Sequence, residues 1–381
     1  MTRSLKLATA IVGLAGAAQA GGIDRSGQPM DLLFKDGNYL EFSAVRTIPS
    51  VSGTDLPQSP PGFPVPYDSG ASYNDVADAF NDLRFGIKYD FNEKFSVAFM
   101  GGEDYGVDVL YPEETGSLLG GTLADANSYA LALVGRFHVN ENFSFHAGVR
   151  RQTADGKIGL GGLAYGGVNG YEVNLGEDSA WGYIVGGAYE RPEIGLRVAL
   201  TYNSTITHSF KTTETLNGAS LGNSKKTDVD IPQSVNLDFQ TGVAEDTLVF
   251  GQIRWVDHSQ FTVDPEIFTA LTGTGLVKVD NSTTYTLGVG HRFSDQISAS
   301  IAYIYDDVYG DDLVSPLAPT HGSQALRIGA TYRVNQVEFA AGIRYTWLGD
   351  ALAETGTPDV ARADFSDNSA VSVGLRVGYF F

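Results

Sequence analysis

The residues best suited to chemistry in this sequence are arginines that alternate with apolar residues along short segments. A guanidinium group can hold a carboxylate through two parallel hydrogen bonds, so each arginine is a candidate for binding an acidic ligand. Each can also form an ion pair with an acid on a neighbouring segment, and this pairing is favoured for any single one. The candidates are Arg84, Arg136, Arg150, Arg197, Arg254, Arg292, Arg327, Arg344 and Arg376.

Residues for catalysis are sparse. None of the six histidines belongs to a nucleophile motif such as G-x-S-x-G. The sequence has no cysteine, which excludes disulfides, thiolate metal ligands and a thiol nucleophile. We therefore predict no catalytic residue, no enzyme activity, no cofactor and no assigned metal site.

The elements that position the arginines are predicted strands with two contrasting faces. In 337–347, Phe339 and Ile343 alternate with Glu338 and Arg344, and the C-terminal segment 371–381 shows the same period. Successive side chains of a strand point to opposite faces. An arginine facing lipid costs about 2–4 kcal/mol at the bilayer midplane, so the arginine face is assigned to a wet barrel interior. Segment 247–257 does not follow this alternation cleanly, because Leu248 and Phe250 share a face with Arg254.

The turns between these segments alternate between short and long. The short turns are 92–94, 140–142, 190–193, 244–246, 294–296 and 335–336. The long loops are 49–79, 108–126, 154–179, 208–230, 258–281, 307–323 and 348–367. This alternation is typical of bacterial outer-membrane barrels, which have an even number of strands. A soluble β-sandwich or propeller explains neither this rhythm nor the terminal Phe381.

We therefore predict an all-β fold, a transmembrane antiparallel β-barrel of about fourteen strands that occupies 38–381. The predicted spans are 38–48, 80–91, 95–107, 127–139, 143–153, 180–189, 194–207, 231–242, 247–257, 282–293, 297–306, 324–334, 337–347 and 368–381.

Composition and the N-terminus support export. Residues 1–20 combine Arg3 and Lys6 with a short apolar run and the A-x-A element that ends at Ala20, which predicts a secretory signal peptide. The net charge of −20 argues against binding nucleic acid. The predicted location is the bacterial outer membrane, and we expect a monomer.

The segment IPQSVNLDFQTGVAEDTLVFGQIRWVDHSQF (231–261) resembles the FadL-type outer-membrane transporters of long-chain fatty acids and aromatic hydrocarbons. It opens a strand with Pro-Gln, passes a short acidic turn and continues into a tryptophan-containing strand. Segments 94–112 and 140–160 resemble the third-strand and fifth-strand regions of that family. The resemblance covers nearly the whole mature chain.

The resemblance implies a barrel whose N-terminal segment folds inside as a plug, here 21–37. Where the family has an Asn-Pro-Ala element near the third strand, this chain has Gln28-Pro29-Met30. The alternative is an ordinary N-terminal stub. The expected plug residues are Pro29, Met30, Leu32, Leu33 and Phe34.

The resemblance also implies a kink in the third strand that opens the barrel wall. The matching glycines are Gly101, Gly102 and Gly106, and glycine inside a strand permits a bulge. The alternative is that the strand ends earlier and a loop begins.

Loops 154–179 and 208–230 match the loops that capture substrate in the family, and their exposed apolar residues suggest a binding surface. A simple lid is the alternative. The capture residues are Ile158, Leu160, Leu163, Tyr165, Phe210, Leu216 and Leu221, and Leu118 and Leu119 fit either role. We place the head group of an acid on Arg150 and Arg197, expected below these loops.

The sequence thus predicts passive uptake of long-chain fatty acids or aromatic hydrocarbons, with release past the plug or through the wall; a general water-filled porin is the alternative. Expected partners are the hydrophobic substrate, outer-membrane lipid and lipopolysaccharide. Phe381 resembles the signal read by the barrel-assembly machinery. Acidic pairs at 306–307 and 311–312 suit either Ca²⁺ or Mg²⁺ bridging to lipopolysaccharide phosphates or a solvated rim.

Overall fold

The chain forms a closed antiparallel barrel of fourteen strands. The computed structural model describes residues 24–25, 27–59, 66–356 and 360–381. The predicted signal peptide, 1–20, lies outside the described residues. The barrel strands are β1 Tyr39–Ser50, β2 Phe80–Asn92, β3 Phe95–Leu110, β4 Leu123–His138, β5 Phe143–Leu160, β6 Tyr171–Arg191, β7 Leu196–Asn203, β8 Ser234–Ala244, β9 Thr247–Val256, β10 Ser282–Arg292, β11 Ile297–Val308, β12 Ser323–Val334, β13 Val337–Leu348 and β14 Ser369–Phe380.

Each strand pairs with its neighbours in sequence, and β1 pairs with β14 from Tyr39–Phe380 to Ser50–Ser369, which closes the barrel. Tight turns join β2 to β3, β4 to β5, β6 to β7, β8 to β9, β10 to β11 and β12 to β13. These are the short turns expected from the sequence, so the strand number and the loop rhythm are confirmed.

Strand bounds at the outer ends differ from the prediction. The sequence placed a loop at 154–179, whereas β5 continues to Leu160 and β6 already begins at Tyr171. The reason is that, above the membrane, the outward face of both strands becomes polar and the inward face becomes apolar. There Lys157 points outward and pairs with Glu172, while Ile158 is buried inside. A prediction that looks for apolar residues on the outward face of each strand therefore assigns such a segment to a loop.

The two faces of the strands within the membrane are as predicted. On β13, Ile343 is 51% exposed on the outer face, whereas the adjacent Arg344 is 4% exposed on the lumen face. On the poorly phased β9, Leu248 and Phe250 are buried on the same side as Arg254. The arginine face therefore lines the interior.

The outer loops carry short elements that cover the barrel mouth. Two-residue to six-residue strands occur at Gly53–Asp55, Ser72–Tyr73, Ile206–Phe210, Thr212–Leu216, Ala219–Ser220, Thr227–Ile231, Thr262–Val263, Val277–Lys278, Leu313–Val314, Ala351–Thr355 and Val360–Phe365. The helices are α1 Glu266–Thr272 and the 3₁₀ turns Asp31–Phe34, Leu163–Val168, Pro192–Ile194 and His258–Gln260. None of the helices in the described part of the chain has the length and apolarity needed to cross a bilayer.

The N-terminal segment lies inside the barrel as a plug. Its 3₁₀ turn buries Leu32, Leu33 and Phe34 against small lumen-facing residues of the wall. Leu32 packs onto Gly86 of β2, where a Cβ atom would come within 2.5 Å of Leu32 Cδ2. Glycine at this position therefore lets the plug approach the wall closely.

Candidate functional site

An apolar pocket of about 90 Å³ lies inside the barrel beneath the outer loops, and we call it the outer pocket. Its walls come from the upper parts of β3, β4, β5 and β6 and from loop segments. The residues that give its apolar character include Val107, Ile158, Leu175, Phe210, Val229, Ile231, Phe261, Val263 and Leu317. Such a lining removes apolar molecules from water and offers few polar partners.

The predicted capture residues gather around this pocket. Ile158 and Phe210 line it. Leu160 is buried in the surrounding apolar cluster, and Tyr165, Leu216 and Leu221 pack against that cluster. Leu163 is exposed on its 3₁₀ turn. The structure thus brings loop residues separated by about fifty positions into one apolar cluster.

Leu118 and Leu119, which the sequence left open, belong to a different cluster. They are fully buried with Tyr73, Tyr111 and Phe365 under the loops near β1 and β14. They therefore stabilise the neighbouring part of the outer cap.

A second cavity, which we call the inner cavity, has about 110 Å³ and lies below the outer pocket. The plug forms one side of it through residues 28–32, which include Pro29 and Met30. The opposite side consists of β2 to β5, including Phe85, Gly101 and Gly102. Charged residues also reach this cavity, namely Asp31, Glu41, Arg84, Glu103, Asp104, Arg150 and Arg376.

Arg150 has the clearest unused hydrogen-bonding capacity in the inner cavity. Its side chain is 4% exposed, and its Nη1 lies 3.4 Å from Asp104 Oδ2. Its Nε and Nη2 atoms are buried without a hydrogen-bond partner. A buried guanidinium edge of this kind fits the two oxygens of a carboxylate. The arrangement can therefore bind an acidic head group.

Arg197 does not lie below the outer loops, which corrects the position expected from the sequence. It is the second residue of β7, directly after the turn at 192–195, so it lies at the opposite end of the barrel. Its guanidinium lies 4.5 Å from the ring centre of Phe34, and Nη2 is 3.7 Å from Asp31 Oδ1. Arg197 therefore contacts the plug.

The wall is interrupted between β2 and β3. Their pairing runs from Asn92–Phe95 and stops at Phe85–Gly101, although both strands continue above that pair. On its other side β3 stays paired with β4, with a register shift between Glu103 and Gly106. At this seam, therefore, the ladder between two neighbouring wall strands stops before either strand ends.

The N-terminal segment fills the interruption. Asp24 forms an antiparallel bridge with Tyr105 of β3, and the Arg25 N–H donates to the Asp104 carbonyl at 2.9 Å. The Arg25 guanidinium lies 4.1 Å from the ring centre of Phe80 on β2. It also packs onto Gly106, where a Cβ would be 2.6 Å from Arg25 Cζ.

A buried ion pair fixes this N-terminal segment to the opposite wall. Arg254 of β9 donates from Nε and Nη2 to Asp24 Oδ2 at 3.0 and 2.7 Å, and both side chains have 0% exposure. His258, in the loop after β9, is also buried, and this burial lowers its pKa to about 4. No local pattern in the sequence predicts that Asp24 meets Arg254, because they are separated by 230 positions.

The acidic pairs at the outer rim do not assemble a cation site among the residues that the structure describes. No group of three or more His, Asp or Glu side chains there is arranged to hold a metal ion.

Comparisons with known proteins match this architecture. The family model of the outer membrane protein transport protein (OMPP1/FadL/TodX) matches residues 72–381. No curated protein sequence matches the chain.

Solved structures of similar fold cover nearly the whole chain. A Pseudomonas aeruginosa FadL homologue is 15% identical, with 93% of this chain and 92% of that chain covered and a TM-score of 0.70. The P. putida toluene transporter TodX is 13% identical, with 93% and 92% covered and a TM-score of 0.62. The Ralstonia pickettii toluene transporter TbuX is 12% identical, with 93% and 92% covered and a TM-score of 0.61.

Proposed function

The chain belongs to the outer-membrane protein transport family OMPP1/FadL/TodX, and on that premise we propose that it takes up hydrophobic small molecules by passive diffusion. The route begins at the outer loops, continues through the outer pocket to the inner cavity, and ends at the interrupted wall or past the plug. The observation that carries the proposal is an apolar pocket stacked above a cavity that borders both the plug and the β2–β3 seam.

Capture at the outer end is driven by removal of apolar surface from water. The outer pocket offers aliphatic and aromatic side chains but has a volume of only about 90 Å³. Sites for drug-sized ligands usually have about 300–1,000 Å³. A long acyl chain therefore enters only as loop side chains move, whereas a single aromatic ring needs less rearrangement.

We propose fatty acids as one substrate class because of Arg150. Its two buried nitrogen atoms without partners face a cavity that the plug borders. A carboxylate that binds them restores the hydrogen bonds that burial removed. Aromatic hydrocarbons form the other class, and two of the solved neighbours are toluene transporters.

Release has two possible directions in this geometry. Gly101 and Gly102 border the inner cavity at the β2–β3 seam, so a molecule there is close to the lipid. Met30 and Leu32 of the plug border the same cavity on the other side. We favour the seam, because it delivers a hydrophobic molecule to membrane without passage through water.

Uptake of labelled oleate and labelled toluene, in cells lacking and carrying this protein, tests the proposed function. We expect both compounds, or one of them, to enter faster when the barrel is present, with no matching gain for a small sugar. Faster sugar uptake without any gain for the hydrophobic compounds would establish the general porin instead.

A further inference from the structure

Gln152 lies between the outer pocket and the inner cavity. On the lumen face of β5, Ala154 lines the outer pocket and Arg150 lines the inner cavity, and Gln152 is the inward residue between them. A strand rises about 3.4 Å per residue, which puts Ala154 and Arg150 about 14 Å apart along β5. Gln152 itself has 0% exposure. Its side chain therefore occupies the boundary between the two spaces.

Polar groups from three other elements hold this side chain in place. Gln152 Nε2 lies 3.3 Å from Asp104 Oδ2 on β3 and 3.5 Å from Ser128 Oγ on β4. Gln152 Oε1 lies 3.2 Å from Nε2 of His208 in the outer loop. These contacts are at the long end of the hydrogen-bond range, so each is weak and can exchange.

The boundary continues from His208 to the barrel wall at β6. His208 Nδ1 lies 3.2 Å from Asp178 Oδ2 on β6, and the ring of His208 stacks on Phe210, with centroids 5.4 Å apart. Phe210 is a wall of the outer pocket. Burial lowers the pKa of His208, while Asp178 acts in the opposite direction. The polar row Asp178–His208–Gln152–Asp104 thus lies between the apolar pocket and Arg150 on the β3–β6 side of the bore.

We propose that Gln152 and His208 form a polar partition that selects among hydrophobic substrates, an inference that rests on the proposed function. A substrate that passes must break the hydrogen bonds of Gln152. The carboxylate of a fatty acid can accept hydrogen bonds from the Gln152 amide and then from Arg150, which replaces what is broken. A neutral hydrocarbon offers no such replacement. The partition therefore slows toluene more than oleate.

Two substitutions of Gln152 separate polarity from bulk. Gln152→Ala removes both, whereas Gln152→Met keeps the length of the side chain and removes its hydrogen bonds. In both variants we expect toluene uptake to rise about 2- to 3-fold, which corresponds to the low end of the range for one lost hydrogen bond because these contacts are long. Oleate uptake should rise less or fall, so the toluene-to-oleate ratio increases. His208→Phe should shift the ratio in the same direction by a smaller factor.

Gln324→Ala is the matched control. Gln324 is also a hydrogen-bonded wall glutamine, but it is exposed on the outer face of β12, where it accepts from Tyr303 Oη at 2.7 Å. Its loss should leave the ratio unchanged. Heat-modifiable migration in gels verifies that each variant is a folded barrel, and His208→Phe supplies the test if a Gln152 variant does not fold.

Suppose that the wild-type protein transports either compound and that the folded Gln152 and His208 variants keep its toluene-to-oleate uptake ratio. That result would overturn the partition and leave the proposed function intact. The partition would also be overturned if Gln152→Met behaved like wild type while Gln152→Ala raised the toluene-to-oleate ratio. The size of the side chain, and not its hydrogen bonds, would then limit passage. Wild-type protein that transports neither compound would instead remove the proposed function.

Discussion

The barrel has two seams that differ sharply in how they are closed. The β1–β14 seam, which joins the first and last strands, keeps a regular ladder from Tyr39–Phe380 to Ser50–Ser369. The β2–β3 seam loses its ladder above Phe85–Gly101. There the N-terminal segment pairs with β3 through the Asp24–Tyr105 bridge and through the Arg25 N–H, which donates to the Asp104 carbonyl. The N–H and carbonyl of Tyr105 bond to Ser128 Oγ of β4.

The difference shows how a segment from outside the wall can supply a hydrogen-bond partner where the ladder between two wall strands stops. Unpaired N–H and C=O groups facing hydrocarbon cost several kcal/mol each, so a bare gap is not stable. At this seam the replacement partner comes from the plug, which is not a continuous part of the wall. We expect a seam closed in this way to open more easily than the β1–β14 seam, because its partner is not a wall strand.

The largest effect is expected from Asp24→Asn, which removes the charge that holds the N-terminal segment to Arg254. Both side chains of this pair are fully buried, and loss of one partner leaves the other charge uncompensated. Breaking such a pair costs about 3–5 kcal/mol. Hydrogen exchange of the plug backbone at 27–37 should accelerate, and urea unfolding should show a lower free energy of unfolding.

Glu193→Gln is the control for that prediction. Glu193 pairs with Arg191 at an exposed turn, where an ion pair contributes little. Exchange and unfolding should stay at the wild-type level. Unchanged plug exchange in the Asp24→Asn variant would mean that the ion pair does not secure the seam.

The next effect concerns the inner cavity beside the β2–β3 seam. Arg150→Met should weaken oleate binding about 10- to 100-fold, because hydrogen bonds to charged groups contribute about 1.5–3 kcal/mol. Toluene uptake should change little, since toluene has no group for the guanidinium. Titration of purified protein with a fluorescent fatty acid measures the change. Arg197→Met is the control, because Arg197 contacts the plug at Phe34, and it should affect oleate and toluene equally. An equal loss for both compounds in Arg150→Met would show that Arg150 does not bind the head group.

A smaller effect is expected at the seam itself. In Gly102→Val the new Cβ would come within 2.5 Å of Arg84 Cγ, so the Arg84 side chain must shift into the space beside the seam. Overpacking of this kind costs about 1–3 kcal/mol, which a barrel can tolerate. We expect hydrophobic uptake to fall several-fold while assembly is retained.

Gly135→Val is the comparison for Gly102→Val. Its Cβ would lie 3.4 Å from Phe95 Cε2 on β3, an ordinary contact away from the seam. Wild-type uptake is expected there. Wild-type uptake in Gly102→Val as well would rule out the seam as the exit.

The smallest effect on stability is expected at the closed seam. Phe381 is exposed and stacks on Tyr379, with ring centroids 6.1 Å apart. Phe381→Ala should lower the free energy of unfolding by only about 0.5–1.5 kcal/mol. If the barrel-assembly machinery reads this residue, the yield of assembled protein in cells should fall far more than stability does. Equal losses in yield and stability would assign Phe381 a packing role alone.

Much of the barrel was predictable because lipid imposes a strict rule on each strand. Ile343 must face hydrocarbon and Arg344 must not, so strand number and faces follow from local alternation. This constraint on the outward face applies only within the membrane. At Lys157 and Ile158 the polar side chain is outside and the apolar one inside, so local alternation cannot distinguish this extended strand from a loop.

The site was less predictable because it depends on contacts between distant segments. The sequence indicated which loops carry apolar residues, and Ile158 and Phe210 do meet at one pocket. The predicted short turn at 190–193 already puts Arg197 at the end opposite the long loops, so its expected position below the outer loops did not agree with the predicted strand 194–207. Gln152 gave no signal, since a glutamine on a lumen face is ordinary until Asp104 and His208 converge on it.

A structure of the protein with a bromine-labelled long-chain fatty acid tests the central claim most directly. Anomalous scattering from bromine at the end of the chain, together with density for the carboxylate, locates both ends of the substrate. We expect the carboxylate within hydrogen-bonding distance of Arg150 Nε and Nη2, and the chain between the outer pocket and the inner cavity. Bromine only on the lipid-facing surface, with both internal spaces empty at saturating fatty acid, would contradict transport through the bore.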